Sequence, residues 1–246
     1  AFRLCAVSLL VSSICQTANH WIVLPSLLSL GFVGALPFQA RGLALGAHPA
    51  DGLELVAEGA EGSESYRLFF VNDGAKISPW HDLPIGGSTP GEFFMVVEIP
   101  KMTRAKMEMA PKEAHNPIKQ DSKLEQLRSY HGPIYWNYGY MPQTWEDPEV
   151  IHTFDPWTVV GDGDPLDVVE IGTKQRHTGE VLAVKPLGAL AMIDDGELDW
   201  KIIAIAVDDE LAPQLNDISD LEKQQPHVIS GIREWFRWYK APDGQI

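Results

Sequence analysis

The amino-acid sequence predicts a mainly β (α+β) protein built on a small closed β-barrel with peripheral helices and long ordered loops. Five or six short apolar segments have the length and the alternation typical of strands in such barrels. Between residues 110 and 160, Pro recurs among aromatic residues, which indicates ordered loops and few regular elements. A single amphipathic helix is predicted near the end of the chain, at 229–239.

The first strands are predicted in order along the chain. Residues 66–71 form a strand pattern, and the Asn-Asp-Gly turn at 72–74 is typical of a tight hairpin. Residues 92–99 are almost continuously apolar, which predicts a strand buried on both faces that ends at Pro100. Residues 106–109 alternate charged and apolar side chains, as expected of a strand with one face in water.

Later strands follow the Pro-rich segment and precede the helix. The predicted segments are 166–171, 180–187 and 189–193, with the last leading through a turn into 200–207. In the helix, large apolar side chains recur at helical spacing and form one stripe. That stripe consists of Ile232, Trp235, Phe236 and Tyr239.

The charge balance excludes some classes of partner. The 246 residues include 34 acidic and 19 basic side chains, which gives a formal net charge of −15. Surfaces that bind nucleic-acid phosphates or anionic lipid need clustered Lys and Arg. We therefore expect no nucleic-acid partner and no stable membrane association of the mature body, whereas bound cations suit this composition. The length fits one domain or two small ones.

The acidity is confined to residues 51–246. Residues 1–50 contain no Asp or Glu and only two bases, Arg3 and Arg41, so the remainder carries 17 bases (19 − 2) against 34 acids, or −17. Both cysteines also lie in the first 50 residues. A disulfide framework, a CxxC zinc site and a cysteine nucleophile are therefore excluded from the acidic body.

We predict three parts: a targeting leader at 1–50, a Gly- and Glu-rich linker at 51–65 and the main domain at 66–246. The apolar stretches of the leader, 4–14 and 21–38, lack the roughly 18 to 20 uninterrupted apolar residues of a membrane span. A small-residue, acid-poor stretch follows them, as in organellar transit sequences. The alternative is a buried N-terminal extension or a segment that the mature protein lacks.

The densest group of chemically useful side chains lies in the turn 161–167. It places three carboxylates, Asp162, Asp164 and Asp167, directly before an apolar strand, where their charge is costly unless cations compensate it. Such oxygen ligands select hard divalent ions such as Mg²⁺. An EF-hand is excluded because its sixth position, normally Gly, is Asp167. A solvated acidic turn is the alternative interpretation.

Two further groups of charges lie on predicted strands. In the second acidic hairpin, Asp199 and Lys201 share one face, so a metal ligand and a phosphate-binding cation can project side by side. An ordinary charged hairpin tip is the alternative. Glu98 lies in an apolar strand and needs a partner, while Lys106 and Glu108 share a face of the next strand. No GxSxG, HExxH, P-loop or GxGxxG motif occurs.

The motif DGDPLD, within VVGDGDPLDVVEIG, resembles the signature of family I soluble inorganic pyrophosphatases. Further segments resemble the eukaryotic, plastid-type branch: VVEIPKMTRAKME, NYGYMPQTWEDP, ALAMIDDGELDWKIIAIAVDD, LNDISDLEK and WFRWYKAPDG. The resemblance runs from about residue 66 to the last residue, so it makes 66–246 a pyrophosphatase catalytic domain. It implies an OB-like five-stranded barrel, dependence on Mg²⁺, and hydrolysis of inorganic pyrophosphate to two phosphates by a metal-activated water.

The resemblance also implies roles for individual residues. It makes Asp162, Asp167 and Asp199 ligands of the tightest metal site, and Asp164 the acceptor of the proton of the attacking water. Three further acids belong with the remaining metals: Glu98, Glu108 and Asp194. Phosphate binding is assigned to six residues, of which Arg128 and Tyr138 are also catalytic: Lys106, Arg128, Tyr138, Lys201, Tyr239 and Lys240.

Two features depart from the family pattern. A second active-site Tyr is common four residues before the Tyr of NYG, but this chain has Ile134 there, and Tyr135 is the nearest substitute. The family also continues beyond the PDG motif into a C-terminal helix that packs on the barrel. We therefore expect the C-terminus to be truncated.

The remaining expectations concern partners, location and competing functions. Inorganic pyrophosphate is the expected partner, and a homodimer is an open alternative because eukaryotic relatives are commonly dimers. The leader favours a plastid, with the cytoplasm or the mitochondrion as alternatives. One competing function is an OB-like binding module for an oligonucleotide or phosphorylated ligand, which the −17 body does not support. The other is a metal-dependent phosphohydrolase of organic phosphate esters.

Overall fold

The computed structural model describes residues 22–24, 51–87 and 89–243. The strands within these ranges are β1 (Ile22–Leu24), β2 (Leu53–Glu58), β3 (Arg67–Asn72), β4 (Ala75–Ile77), β5 (Phe93–Ile99), β6 (Met107–Met109), β7 (Ile118–Gln120), β8 (Ser122–Lys123), β9 (Gln126–Leu127), β10 (Asn137–Tyr140), β11 (Ile151–Phe154), β12 (Trp157–Val160), β13 (Asp167–Glu170), β14 (Val181–Asp194) and β15 (Glu197–Ala206). The helices are η1 (Ala212–Gln214), α1 (Ile218–Gln224), α2 (Val228–Trp238) and η2 (Ala241–Asp243), where η denotes a 3₁₀-helix.

Five strands close into a barrel. Strand β5 pairs with β10, β10 with β13, β13 with β15, β15 with β14, and β14 pairs back to β5. All of these pairings are antiparallel except β13–β15, which is parallel and places Asp167 opposite Lys201. The ring of pairings confirms the predicted mainly β, barrel-based fold. Each of the five strands therefore pairs with a neighbouring strand on both of its sides.

Alternate residues of the barrel strands face two apolar cores. In β15, Ile203 joins the core beneath helix α2, together with Phe236 of that helix, whereas Ile202 faces the second core. Helix α2 therefore lies where the apolar stripe of the sequence predicts a helix. Because Asp199 and Lys201 follow the same alternation as Ile203, the charged end of β15 continues the helix-covered face.

A second sheet, in the order β2-β3-β7-β6 with β4 paired to β3, packs beside the barrel. A third core joins the two, with Phe70 and Ile118 from the sheet and Phe94 from the barrel. This sheet corrects the prediction of a linker at 51–65, because Leu53–Glu58 form strand β2 and pair with β3. The sequence pattern there is weak because most residues of this edge strand are exposed.

The Pro-rich segment 110–160 is more regular than predicted. It contains barrel strand β10 and the hairpin of β11 and β12. Strand β10 has only four residues, and pairing with two neighbours stabilises it where local sequence does not. Gly139 permits this pairing, because a Cβ at that position would lie 1.9 Å from the carbonyl oxygen of Val96.

Two other elements differ from the predicted pattern. Segments 180–187 and 189–193 form one long strand, β14, whose register shifts between Pro186 and Gly188. A proline is tolerated there because the ladder is already interrupted. Helix α1 is too short to give a clear periodic signal. Asp217 caps it by accepting a hydrogen bond from the backbone N–H of Asp220.

Apart from β1, which pairs with residues 189–191 of β14, the predicted leader at 1–50 lies outside the described residues. Both cysteines lie outside them as well. Among the described residues, no helix has the length and the apolar character needed to cross a membrane. The division into leader and catalytic domain therefore stays a prediction.

Candidate active site

Three carboxylates converge at one end of the barrel. Oxygen atoms of Glu146, Asp162 and Asp199 lie within 4.8 Å of one another, and Glu146 and Asp199 are buried. Glu146 Oε1 accepts a hydrogen bond of 2.8 Å from the backbone N–H of Trp200. Its Oε2 is buried and has no hydrogen-bond partner in the described part of the chain. Such an oxygen is costly in isolation, so the cluster is suited to holding a metal ion.

Backbone hydrogen bonds fix the turn before β13 against the segment of Glu146. The N–H of Gly163 donates to the Glu146 carbonyl, and the N–H of Glu146 donates to the Asp164 carbonyl, both at 2.9 Å. Gly161 permits the close approach, because a Cβ there would lie 2.4 Å from the Glu146 carbonyl oxygen. The turn is therefore held in a conformation that keeps Asp162 close to Glu146.

A buried lysine balances the acids of the barrel strands. Lys201 is 2% exposed, and its Nζ lies 2.6 Å from Asp199 Oδ1 and 2.5 Å from Asp167 Oδ2. The Tyr138 hydroxyl donates to the same Asp167 oxygen and accepts a hydrogen bond of 3.0 Å from Lys201. Burial opposes the charge of Lys201, but the two carboxylates outweigh it and raise its pKa well above the usual value.

The carboxyl groups of the cluster bind protons more tightly than isolated carboxyl groups. Burial, followed by the charges of Asp199 and Asp162, raises the pKa of Glu146 to about 10. Burial also raises the pKa of Asp199 to about 8, although Lys201 opposes the shift. Asp164 is exposed, but partial burial of its carboxyl group and then the charge of Asp162 raise its pKa to about 6. Burial is the largest cause of these shifts and neighbouring carboxylates add to it, so a divalent cation bound among these groups would favour their ionised forms.

Asp121 joins two of the predicted phosphate-binding cations. Its Oδ2 lies 2.9 Å from Lys106 Nζ and 2.5 Å from Arg128 Nη1. Lys106 Nζ also lies 2.7 Å from Glu108 Oε2. Burial opposes the charge of Asp121, but Lys106 and Arg128 outweigh it and lower its pKa. Asp121 therefore stays ionised and holds both cations on one side of the pocket that they line with Tyr239.

Asp194 is the counter-ion of the cation that follows helix α2. It ends β14, and its two oxygens lie 2.5 and 2.6 Å from Lys240 Nζ. The Tyr239 hydroxyl donates to Asp194 Oδ2 at 3.4 Å. The C-terminal end of α2 thus places two predicted phosphate-binding side chains at the end of a barrel strand.

Glu98 lies where the barrel meets the second sheet. Its Oε1 accepts a hydrogen bond of 2.6 Å from the backbone N–H of Met109, on the strand that carries Glu108. Burial and then the charge of Asp167 raise its pKa well above the usual value. The buried hydroxyl of Tyr140 has no hydrogen-bond partner among the described residues. Glu98 therefore interacts with Asp167 of the barrel through charge, and with the strand of Glu108 through a hydrogen bond.

Three groups of side chains contain most of the residues that the sequence singles out. They are Tyr138, Asp167, Asp199 and Lys201; Lys106, Glu108 and Arg128; and Asp194, Tyr239 and Lys240. Tyr135, the substitute suggested for the second active-site Tyr, belongs to none of these three groups. Ile134 is fully buried in the helix-covered core, and Tyr135 is 52% exposed with its ring packed edge-on against Trp136.

Glu146 and Asp121 are the candidates that sequence reasoning missed. Glu146 lies in the WEDP segment, where a single acid in a Pro-rich loop has no recognisable spacing to the DGDPLD motif. The available signal was that Glu146 lies in NYGYMPQTWEDP, one of the segments that resemble the family. In the structure, Trp145 Nε1 donates to the Gly163 carbonyl at 2.9 Å and so joins the two loops.

The fold and the site define a β-barrel protein with a carboxylate cluster for a cation, beside bases suited to a phosphate anion. The family model described as inorganic pyrophosphatase matches residues 95–246. The chain is 47% identical over 240 residues to soluble inorganic pyrophosphatase 6, chloroplastic, of Arabidopsis thaliana, covering 94% of this chain and 79% of that protein. It is 50% identical over 188 residues to the chloroplastic soluble inorganic pyrophosphatase 1 of Chlamydomonas reinhardtii, covering 76% and 66%.

Solved structures of inorganic pyrophosphatases are also similar to this chain. The type I inorganic pyrophosphatase from Toxoplasma gondii is 49% identical with a TM-score of 0.73, over 77% of this chain and 84% of that chain. The N-terminally truncated vacuolar soluble pyrophosphatase of Trypanosoma cruzi, in complex with PPi, is 42% identical with a TM-score of 0.75, over 79% of each chain. The chain therefore belongs to the inorganic pyrophosphatase family, which confirms the resemblance and the predicted enzyme class, an inorganic diphosphatase.

We predict that, in a metal-chelating buffer, Glu146 makes the protein less stable as pH rises from about 5 to about 9. The folded pKa of about 10 lies above the ordinary value of 4.5, so the folded state binds more protons across this window and loses stability as pH rises. Glu146→Gln is neutral at every pH and should weaken this dependence. The urea midpoint measured across the window tests it.

Glu54→Gln, on exposed strand β2, is the control because it also removes one carboxylate. Equal pH dependence of the urea midpoint in both variants would contradict the burial of an uncompensated Glu146 carboxyl group.

Proposed function

We propose that this protein hydrolyses inorganic pyrophosphate to two phosphates in a Mg²⁺-dependent reaction at the barrel end. The observation that supports this most strongly is the cluster of Glu146, Asp162 and Asp199, with Lys201 buried beside it. Pyrophosphate is a small, highly charged anion whose hydrolysis needs charge neutralisation and positioning more than covalent help from the protein. A site with cation-binding acids next to bases supplies both.

The donor set fits Mg²⁺. All three side chains of the cluster offer carboxylate oxygens, which hard divalent cations prefer, and no soft ligand is among them. Such an ion would give the unpartnered Oε2 of Glu146 a partner and would favour the ionised forms of Glu146 and Asp199, whose pKa values burial raises. When bound, Mg²⁺ lowers the pKa of water and neutralises charge on phosphate oxygens. Asp167, Asp194, Glu98 and Glu108 are the further acids proposed to hold metal.

Asp164 is proposed to accept the proton of the attacking water. It lies in the DGDPLD turn two residues from Asp162, where a carboxylate can take a proton from a water beside the cluster, as a general base requires. Its backbone N–H donates to Asp162 Oδ1 at 2.9 Å, which orients the turn. Tyr138 keeps its proton, because burial and then Asp167 raise its pKa well above the usual value. It therefore acts as a hydrogen-bond donor.

The proposed phosphate-binding bases are paired with acids of the same site. Lys201 pairs with Asp199 and Asp167, Lys106 with Glu108, and Lys240 with Asp194. The remaining members of the phosphate set are Arg128, Tyr138 and Tyr239. Binding cations to the acids and a phosphate anion to the bases would replace each of these ion pairs by two new ones. The site thereby accepts a highly charged substrate without leaving a buried charge unpaired.

We propose a plastid location. The supporting observations are the acid-free leader and the chloroplastic relatives from Arabidopsis and Chlamydomonas. The Arabidopsis match leaves 6% of this chain unmatched, less than residues 1–50 represent, so it includes part of the leader. A mature N-terminus between about residues 40 and 65 in isolated plastids would support this location, and an intact leader in the cytosol would refute it.

A homodimer and the absence of nucleic-acid and membrane partners stay predictions.

We predict that phosphate release from pyrophosphate in Mg²⁺ is at least about 100-fold faster than release from ATP or a phosphate monoester. Chelation of Mg²⁺ should abolish phosphate release from pyrophosphate. Comparable release from the monoester would favour a general phosphohydrolase. Pyrophosphate binding without release would favour a binding module.

We predict that Asp164→Asn lowers kcat for pyrophosphate about 10²- to 10⁴-fold, because the turn loses its proton acceptor. Circular dichroism and the thermal midpoint should stay close to those of the parent protein. Asp73→Asn, at a β-turn where φ is 50°, is the matched control. Near-parental turnover by Asp164→Asn would remove the proposed role.

A further inference from the structure

Tyr130 lies beside the proposed phosphate-binding bases, and no role described above uses it. It lines a pocket of about 410 Å³ together with Lys106, Arg128 and Tyr239 of the phosphate set. Among the described residues, no Asp or Glu lines this pocket, so its wall is suited to an anion. The side chain of Tyr130 is therefore placed to contact a bound anion as well as the core.

The backbone around Tyr130 is extended and fixed along one side. The N–H of Tyr130 donates to the carbonyl of Arg104 at 2.7 Å, and Arg104 Nε donates to the carbonyl of Tyr130 at 2.8 Å. The preceding residue, Ser129, forms an antiparallel bridge with Ala105. Alternate residues of an extended segment project to the same side. Arg128 and Tyr130 therefore share the face that lines the pocket.

Aromatic neighbours fix the ring of Tyr130. Its centroid lies 4.9 Å from the ring of Trp235, at an interplanar angle of 87°, and 5.9 Å from the ring of Tyr239, at 78°. Trp235 is itself stacked on Tyr239 with the centroids 5.4 Å apart, and its Nε1 donates to the carbonyl of Pro133 at 3.2 Å. Edge-to-face contacts of this kind are directional as well as favourable. The hydroxyl of Tyr130 therefore projects in a defined direction.

The Tyr130 hydroxyl has no hydrogen-bond partner in the described part of the chain, and it is not enclosed as the unpartnered hydroxyl of Tyr140 is. Burial raises its pKa above the usual value, while Lys201 opposes the rise and Asp167 adds to it. The hydroxyl therefore keeps its proton at neutral pH, among charges that belong to the site. Because a buried Tyr hydroxyl usually has a partner, an acceptor that a ligand brings into the pocket would complete it.

We propose that the Tyr130 hydroxyl donates a hydrogen bond to a phosphate oxygen of bound pyrophosphate, beside Arg128 and Tyr239. The inference rests on the proposed function, because those two residues must hold the same phosphate. A neutral donor strengthens phosphate binding without adding a charge that an acid of the site would have to balance. Tyr135, the substitute suggested from the sequence, is 52% exposed and does not line the pocket. Tyr130 therefore takes the place of a second active-site Tyr in this chain.

Tyr130→Phe tests the inference because it keeps the ring and removes only the hydroxyl. In Mg²⁺, the Kd of inorganic phosphate, measured by calorimetry on the whole chain, should rise about tenfold. The KM for pyrophosphate should rise by a similar factor, with kcat changed less than about threefold, because the hydroxyl contributes binding. The thermal midpoint should stay close to that of the parent protein, since the aromatic contacts remain.

Tyr135→Phe is the matched control, because it also removes one Tyr hydroxyl and lies outside the pocket. It should change neither the Kd of phosphate nor the KM for pyrophosphate. Equal Kd values for the two variants would show that the Tyr130 hydroxyl does not contact phosphate. A larger rise in Kd for Tyr135→Phe would assign the contact to Tyr135 instead. A fall in kcat of Tyr130→Phe with Kd and KM unchanged would also contradict the binding role.

The inference and the proposed function can fail separately. Calorimetry needs no turnover, so it tests Tyr130 even if pyrophosphate is not hydrolysed. A parent protein that binds phosphate but releases none from pyrophosphate would contradict the proposed hydrolysis alone. Hydrolysis by the parent protein, together with an unchanged phosphate Kd in Tyr130→Phe, would contradict the role of Tyr130 alone.

Discussion

The buried ammonium of Lys201 holds together the acids on which the site depends. It lies between Asp199 of its own strand and Asp167 of the parallel strand β13, with the Tyr138 hydroxyl completing the group. Burying any one of these charges alone would be strongly unfavourable, and removing one partner of a buried pair typically costs about 3–5 kcal/mol. The β13–β15 register, which sets Asp167 opposite Lys201, is therefore a condition for both the barrel end and the cation site.

The same constraint explains the use of so many acids around a proposed anionic substrate. Each proposed phosphate-binding lysine has a carboxylate partner within the site, and the nearby Glu146 has an oxygen with no partner among the described residues. Burial first, and then the charge of neighbouring carboxylates, raises the pKa values of Glu146 and Asp199. A site of this composition would repel pyrophosphate until cations bind, so charge as well as family membership supports the proposed metal dependence.

Much of the architecture could be predicted from sequence because strand periodicity and helix amphipathicity are local signals. Strand β5, the β3–β4 turn and helix α2 were accessible in this way. Strand β10 was not, because four residues gain their conformation from two neighbouring strands. The acidic turn at 161–167 predicts cation binding because its density of negative charge is high. Glu146 reaches that turn only through tertiary hydrogen bonds, which no spacing rule encodes.

The carboxylates at the barrel end are proposed to bind a divalent cation. Anomalous diffraction from crystals soaked in Mn²⁺, a hard cation with the same preference for oxygen ligands, tests it most directly. We expect the strongest anomalous peak within coordinating distance of Asp162 and Asp199, at about 2.0–2.3 Å from their oxygens. A strongest peak elsewhere on the molecule, with both carboxylates unligated, would contradict it.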